Sequence, residues 1–345
     1  MIFNLITFVL QNIYMNFIFR AFVIFFISFF LILSSAFSEN TNDEFNVWLG
    51  SFKNYALKEG ISQKTIDIAF KNVVFIEKVI KYDRKQPEFY EDTITYVSKR
   101  ANILRVKKAK KLLKENLGLF VEVEKKFQVE KEILVALWGI ETNFGKHVGK
   151  MDILSSLATL SFDKRRRDFF SSQLLTLLKL IDKQLLDPSK LYGSWAGAFG
   201  NFQFMPSTIE NYAIDYDNNN KIELKTSLED SLASAANYIN QIGWKKGEPC
   251  FYRVKLSKNI KDKYLNTSAR TISNRLKTSK WKKKGVTNFD NTELNFNYSS
   301  ALIWPDAKDN SPLYLVFSNY EKILQWNRSL RFGISVCTLA EMIKA

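Results

Sequence analysis

Between residues 46 and 117, apolar positions recur at helical spacing with lysines on the opposite side, as in Ala101-Asn-Ile-Leu-Arg-Val-Lys-Lys-Ala-Lys-Lys-Leu-Leu113. That period predicts amphipathic helices, and the lysine run reads first as a solvated face. The segment Ile133-Leu-Val-Ala-Leu-Trp-Gly-Ile140 is apolar on every side. It predicts a helix from Lys131 buried all round in the core and stopped by Gly145. Further helices are predicted across Asp168–Leu186 and Leu228–Ile242, the second closed by Gly243 as a left-handed cap. Between Lys245 and Phe317 the pattern changes to short β-rich runs, Phe251–Leu256 and Leu313–Phe317, around a basic stretch from Arg270 to Lys284. The amphipathic Phe332–Ile343 segment predicts a last helix returning to the helical core. The fold class is therefore α+β, mainly α, a helical domain with a small inserted β-containing subdomain. The expected division is a leader over 1–38, a helical domain over 39–244, the insert over 245–317 and the helical return over 318–345.

The first 38 residues carry one charge, Arg20, then the apolar Ala21–Leu33 and the small cluster Ser34-Ser-Ala-Phe-Ser38. This is the layout of a secretory signal peptide cleaved before Glu39. Its alternative is a retained membrane anchor, since the apolar run extended upstream nearly spans the roughly 30 Å of a bilayer core. Composition narrows the function classes. Of 345 residues, 46% are hydrophobic, with only 13 Gly and 6 Pro, which excludes disordered and collagen-like chains. Two Cys and one His exclude a zinc cluster and a disulfide-dense scaffold. The 50 Lys+Arg against 35 Asp+Glu give a net charge of +15, a surface that attracts polyanions. Export favours anionic lipid or acidic wall polymer over nucleic acid, and no groove-binding motif supports the latter.

Three segments carry candidate chemistry. In Gly139-Ile-Glu-Thr-Asn-Phe-Gly145, Glu141 follows the apolar helix at its C-terminal end. Desolvation and the negative end of the helix dipole both disfavour its ionised form, as a general acid requires. A Glu that only hydrogen-bonds its own helix end is the competing reading. Gly193-Ser-Trp-Ala-Gly-Ala-Phe-Gly-Asn-Phe-Gln-Phe-Met-Pro-Ser207 combines glycines that let a backbone approach a ligand with aromatics and an amide suited to sugar rings. A tight packing loop would also use the small residues. The third segment, Asp215 to Thr226, has the outline of a twelve-residue calcium loop. Asp215, Asp217 and Asn219 hold the first, third and fifth places, and Glu223 the ninth. Asn220 stands where the turn glycine belongs and Thr226 where the last carboxylate belongs, so an Asn-rich polar turn remains the alternative. His147 reads as a solvent-facing or structural histidine. Cys250 and Cys337 would pair in an oxidising compartment, but Cys337, on an apolar helix, reads instead as a small buried thiol.

Glu141-Thr-x-x-Gly145, Ala158-Thr-Leu-Ser-Phe with Arg165-Arg166, Gly193-Ser-x-Ala-Gly-Ala-x-Gly, Gln203-Phe-Met-Pro-Ser207 and Trp326-Asn-Arg-Ser329 follow one another in register. Together they resemble the membrane-bound lytic murein transglycosylase B family, over most of the chain from about Tyr96 onward. The resemblance implies a lysozyme-like helical fold and a Gram-negative periplasmic enzyme, membrane-anchored only if the leader is retained. Its implied substrate is peptidoglycan, cleaved without water at the β-1,4 bond between N-acetylmuramic acid and N-acetylglucosamine. Glu141 would be the single catalytic acid/base. Ser194, Gln203, Asn327 and Tyr96 would line the substrate site. No cofactor is required, and calcium would bind at Asp215, Asp217 and Asn219. Phe332 stands where the family carries an aromatic hydroxyl.

The absence of a second carboxylate in these motifs fits such chemistry, because ordinary glycosidases need a pair whereas a sugar hydroxyl can serve as its own nucleophile. The alternatives are a hydrolytic muramidase and a catalytically silent peptidoglycan-binding scaffold.

Overall fold

The computed structural model describes residues 41–85 and 90–345. The leader predicted over 1–38 lies outside them. The chain divides into two compact units, residues 1–60 and 61–345. In the first, helix α1 spans 41–58 and carries a ladder of rings at helical spacing, Phe45, Trp48, Phe52 and Tyr55, with successive centroids 5.8, 5.3 and 5.9 Å apart.

The second unit opens with α2 (Gln63–Ala69), α3 (Glu77–Arg84), α4 (Thr93–Arg100), α5 (Ile103–Glu115) and α6 (Leu117–Phe127). Polar caps cut the helical pattern into these pieces. The side chains of Ser62, Asp92 and Asn102 each accept the backbone N–H three residues on, at Thr65, Thr95 and Arg105. Helix α7 (Lys131–Thr142) follows, with every residue from Ile133 to Gly139 buried.

After β1 (Met151–Asp152) comes α8 (Ile153–Phe162), which the periodicity did not predict. Every residue from Ile153 to Ser161 is buried, yet Ser155, Ser156, Thr159 and Ser161 interrupt the apolar run of the kind that marks α7, and they do so without forming a polar face that would give a period. Its Ser155 and Thr159 hydroxyls accept the N–H groups of Val74 and Ile76 at 3.2 and 3.0 Å. Helix α9 (Arg167–Asp182) ends short of the predicted Leu186. Gln184 turns left-handed (φ 59°), and Leu185 N–H and Gln184 N–H bond back to Leu180 O and Ile181 O, a Schellman stop without glycine. Then come β2 (Tyr192–Gly193), α10 (Pro206–Tyr212) and α11 (Leu228–Gln241). The last is closed at Gly243 (φ 93°) by the same bonding pattern.

The insert contains β3 (Phe251–Leu256), β4 (Leu265–Asn266), α12 (Thr278–Lys283), β5 (Val286–Asn288), β6 (Ala301–Ile303) and β7 (Leu313–Val316). The strands form one sheet in the order β4-β6-β7-β3-β5, parallel only between β4 and β6. Register places Val254, Val286, Leu302 and Leu315 on one face, where they pack on Trp281 and Leu294 as a core of the sheet's own. The chain then returns through α13 (Ser318–Trp326) to α14 (Leu330–Lys344), which packs against α7, α4 and α5.

The expectation of a free buried thiol at Cys337 is corrected. Cys250, at the entrance to β3, is bonded to Cys337 of α14 across 87 residues of sequence. The tertiary fold brings their Cα atoms to 6.1 Å, within disulfide reach.

Candidate active site

Glu141 is the penultimate residue of α7 and is half-buried. Its Oε1 accepts a hydrogen bond of 2.9 Å from the indole Nε1–H of Trp326, the last residue of α13, 185 positions away. The chain leaves α7 through three left-handed residues, Asn143 (φ 53°), Phe144 (φ 61°) and Gly145 (φ 78°). That turn folds Phe144 back over the helix so closely that a Cβ at Gly139 would lie 2.7 Å from its ring. The Phe144 ring then meets Trp138 edge-on at 5.7 Å. His147 is exposed, in keeping with the sequence reading.

Thr142, next to Glu141, ties this turn to the glycine-rich loop. Buried to 1% exposure, its hydroxyl donates to Asn201 O at 2.8 Å and accepts from Gly145 N–H at 2.9 Å. Replacing Thr142 with Val keeps the shape and orphans both backbone groups. Thr142→Val is expected to lose about 1–3 kcal/mol of stability in urea titration, with activity falling as Glu141 loses its frame.

Strand β1 pairs antiparallel with β2, Met151 opposite Gly193. At Gly149 (φ 87°) a Cβ would lie 2.0 Å from Gly193 O, so two glycines are needed where the strands of chain after Glu141 and before Ser194 touch. Ser194 Oγ accepts from Ala198 N–H at 2.9 Å and Ala196 N–H at 3.3 Å, which closes the loop and leaves the hydroxyl proton available. Gln203 is left-handed (φ 52°), and its Nε2 donates to Gly200 O and Val148 O at 2.9 and 3.2 Å. Its amide thereby bridges the loop after Glu141 and the glycine-rich loop.

Trp326 is also the start of a row of rings. Phe204 lies 5.5 Å and Tyr238 5.2 Å from the indole, and Tyr212 stacks on Tyr238 at 4.5 Å. Burial pushes the Tyr238 phenol up to about 12, Tyr212 adding to the effect and Arg328 opposing it. Asn327 caps α13 directly after Trp326. Tyr96 stands on α4, only 4% exposed, with the Arg100 guanidinium 3.4 Å over its ring. Phe332 is buried in α14. Arg165 and Arg166 are committed to a structural clamp: both bond the carboxylate of Asp83, itself 1% exposed.

In the acidic loop, Asn218 and Asn220 take the left-handed turns (φ 59° and 66°), so Asn220 does substitute for glycine. Asp215 accepts from Asn219 and Asn220 N–H, and Asp217 from Asn219 N–H. Sequence reasoning missed Asp230, which stands on α11, fully buried, and accepts from Tyr216 and Glu223 N–H. One carboxylate oxygen from each of Asp215, Asp217 and Asp230 lies within 4.8 Å of the others. Desolvation, together with the neighbouring Asp230 and Asp215 charges, raises the Asp217 carboxyl above its ordinary range. Such an oxygen set suits a hard cation, although Thr226 Oγ1 is turned to Glu223 at 3.4 Å and offers no bidentate ligand.

The model of the transglycosylase SLT domain matches residues 44–341. The chain belongs to this family. It is 32% identical over 222 residues to the membrane-bound lytic murein transglycosylase B of Escherichia coli strain K12, a match covering 63% of this chain and 58% of that protein. It thus spans less than two thirds of that relative's length. Among solved structures, SltB3 of Pseudomonas aeruginosa, in complex with NAG-NAM-pentapeptide, superposes with a TM-score of 0.79 at 33% identity, covering 87% of this chain and 80% of that one. The E. coli lytic transglycosylase SLT35, in complex with calcium, gives 0.72 at 25% identity over 88% and 93%. These neighbours bear out the mainly helical, lysozyme-like fold class. The SLT match takes in Tyr96, Glu141, Ser194, Gln203 and Asn327. Trp326 was visible to sequence reading only as part of a motif, without a role, since nothing local ties it to Glu141.

Proposed function

We propose that this SLT-family protein cleaves peptidoglycan glycan strands as a lytic transglycosylase, with Glu141 as its single acid/base. The observation that carries the reading is the carboxyl of Glu141, half-buried at the end of a buried helix and held at Oε1 by the Trp326 indole. In this reaction Glu141 gives its proton to the glycosidic oxygen as the bond from muramoyl C1 breaks. The resulting carboxylate takes the proton of the muramoyl 6-hydroxyl, whose oxygen attacks C1 and closes a 1,6-anhydro ring. The indole N–H serves both states, since Oε1 accepts whether or not the other oxygen is protonated, and so fixes the rotamer. Gln203 Oε1, the Ser194 hydroxyl and the Asn327 amide would bind sugar hydroxyl and acetamido groups, and Tyr96 would contribute from α4.

The test is mass spectrometry of digested peptidoglycan. Anhydro-muramoyl ends are expected; reducing muramic acid ends would establish a water-using muramidase instead.

The Cys250–Cys337 bond supports an oxidising compartment, and with the leader it supports export to the periplasm. No helix among the described residues is long and apolar enough to cross a membrane. No cofactor takes part in the proposed chemistry. A weak calcium site at Asp215, Asp217 and Asn219, completed by Asp230, is inferred from the carboxylate geometry. Millimolar calcium is expected to raise the melting temperature of the wild type, and Asp215→Asn to abolish the rise, in a thermal-shift titration.

A further inference from the structure

The ring row that starts at Trp326 ends in a pocket of ≈ 310 Å³ between α10, α11 and the end of α13. Its walls include Thr208, Asn211, Tyr212, Tyr238, Gln325 and Arg328, and Arg328 is its one charged lining residue. Arg328 is exposed, and among the described residues no carboxylate lies within ion-pair distance of it, whereas Arg275 and Arg331 are paired with Glu321 and Asp306. It lines the pocket together with the stacked rings of Tyr212 and Tyr238, whose centroids are 4.5 Å apart. A planar cation facing a neutral, part-aromatic pocket is built to take a carboxylate through paired hydrogen bonds while the rings cover apolar atoms. A neutral sugar alone gives no use for that charge. The volume is at the small end for ligand pockets and fits a residue or two of peptide rather than a whole stem.

We propose that this pocket binds the acidic part of a stem peptide carried by a sugar next to the cleaved bond, with Arg328 as its charge partner. The assignment rests on the glycan-cleaving reading above and names a specificity residue for it. Arg328 acts on the binding of the substituent and takes no part in proton transfer.

The experiment compares strands bearing stem peptides with strands stripped by an amidase, whose freed lactyl carboxylates are capped as methylamides. For wild type, kcat/KM on the peptide-bearing strands should exceed that on the capped strands. In Arg328→Gln that ratio is expected to fall about tenfold, through KM rather than kcat, and Arg328→Lys should restore part of it. An unchanged ratio in Arg328→Gln would overturn the assignment. So would an equal KM effect on stripped but uncapped strands, which would give the charge to the lactyl group instead. End groups are read in the same digests: reducing ends would sink the transglycosylase reading whatever the ratio, while anhydro ends with an unchanged ratio would sink only the pocket assignment.

Discussion

Glu141→Gln is expected to abolish release of anhydro-muropeptides, with a fall on the order of 10³-fold in turnover of purified sacculi. The substitution replaces a titratable carboxyl with an amide that neither gives nor takes a proton in the reaction. A glutamine Oε1 still accepts the Trp326 indole N–H that now reaches Glu141 at 2.9 Å, and side-chain volume is nearly unchanged. The melting temperature should therefore stay near that of the wild type. Binding to insoluble peptidoglycan should survive as well, because the aromatic row and the glycine-rich loop remain. Activity within tenfold of wild type would remove Glu141 from the mechanism. Activity lost together with binding and stability would show the residue to be a helix-end anchor, the competing reading of its position.

The second large effect is on stability. Reduction, or the Cys250→Ser/Cys337→Ser double variant, is expected to destabilise the protein by about 2–5 kcal/mol, seen as a fall of several degrees in melting temperature. The bond closes a loop of 87 residues, for which loop-closure entropy in the unfolded chain alone gives about 4–5 kcal/mol. It also joins the start of β3 to α14, and α14 packs on α7, the helix that carries Glu141. Calorimetry with and without reductant checks this, and coincident unfolding curves would refute it. At low temperature the reduced protein should still cleave strands, since neither cysteine lies in the motifs around Glu141.

Much of the helical body was legible because its signals are local. The run Ile133–Ile140 announced a core helix, and Gly243 marked the end of α11, where its φ of 93° closes a Schellman turn. The same stop at the end of α9 was invisible, because Gln184 adopts a left-handed conformation that its side chain does not advertise. Helix α8 was missed because its buried Ser155, Ser156, Thr159 and Ser161 break up the apolar run that announced α7. In the candidate site, Glu141 stood out by following an apolar helix, and Asp215 and Asp217 by their spacing. Asp230 did not, because it joins that pair from another helix.

The sequence by itself determined the helices with a periodic or wholly apolar pattern, where their apolar faces lie, and which short motifs hold an acid, a glycine-rich loop and an oxygen-rich turn. These follow from residue period, capping and backbone permissiveness, all set within a few positions. Only the tertiary structure decided what those groups meet: Trp326 on Glu141 across 185 residues, Asp83 beneath Arg165 and Arg166, Cys250 on Cys337, and Arg328 in one pocket with the stacked rings. Partners so far apart in the chain are brought together by the packing of whole helices and a sheet, and no local spacing encodes that.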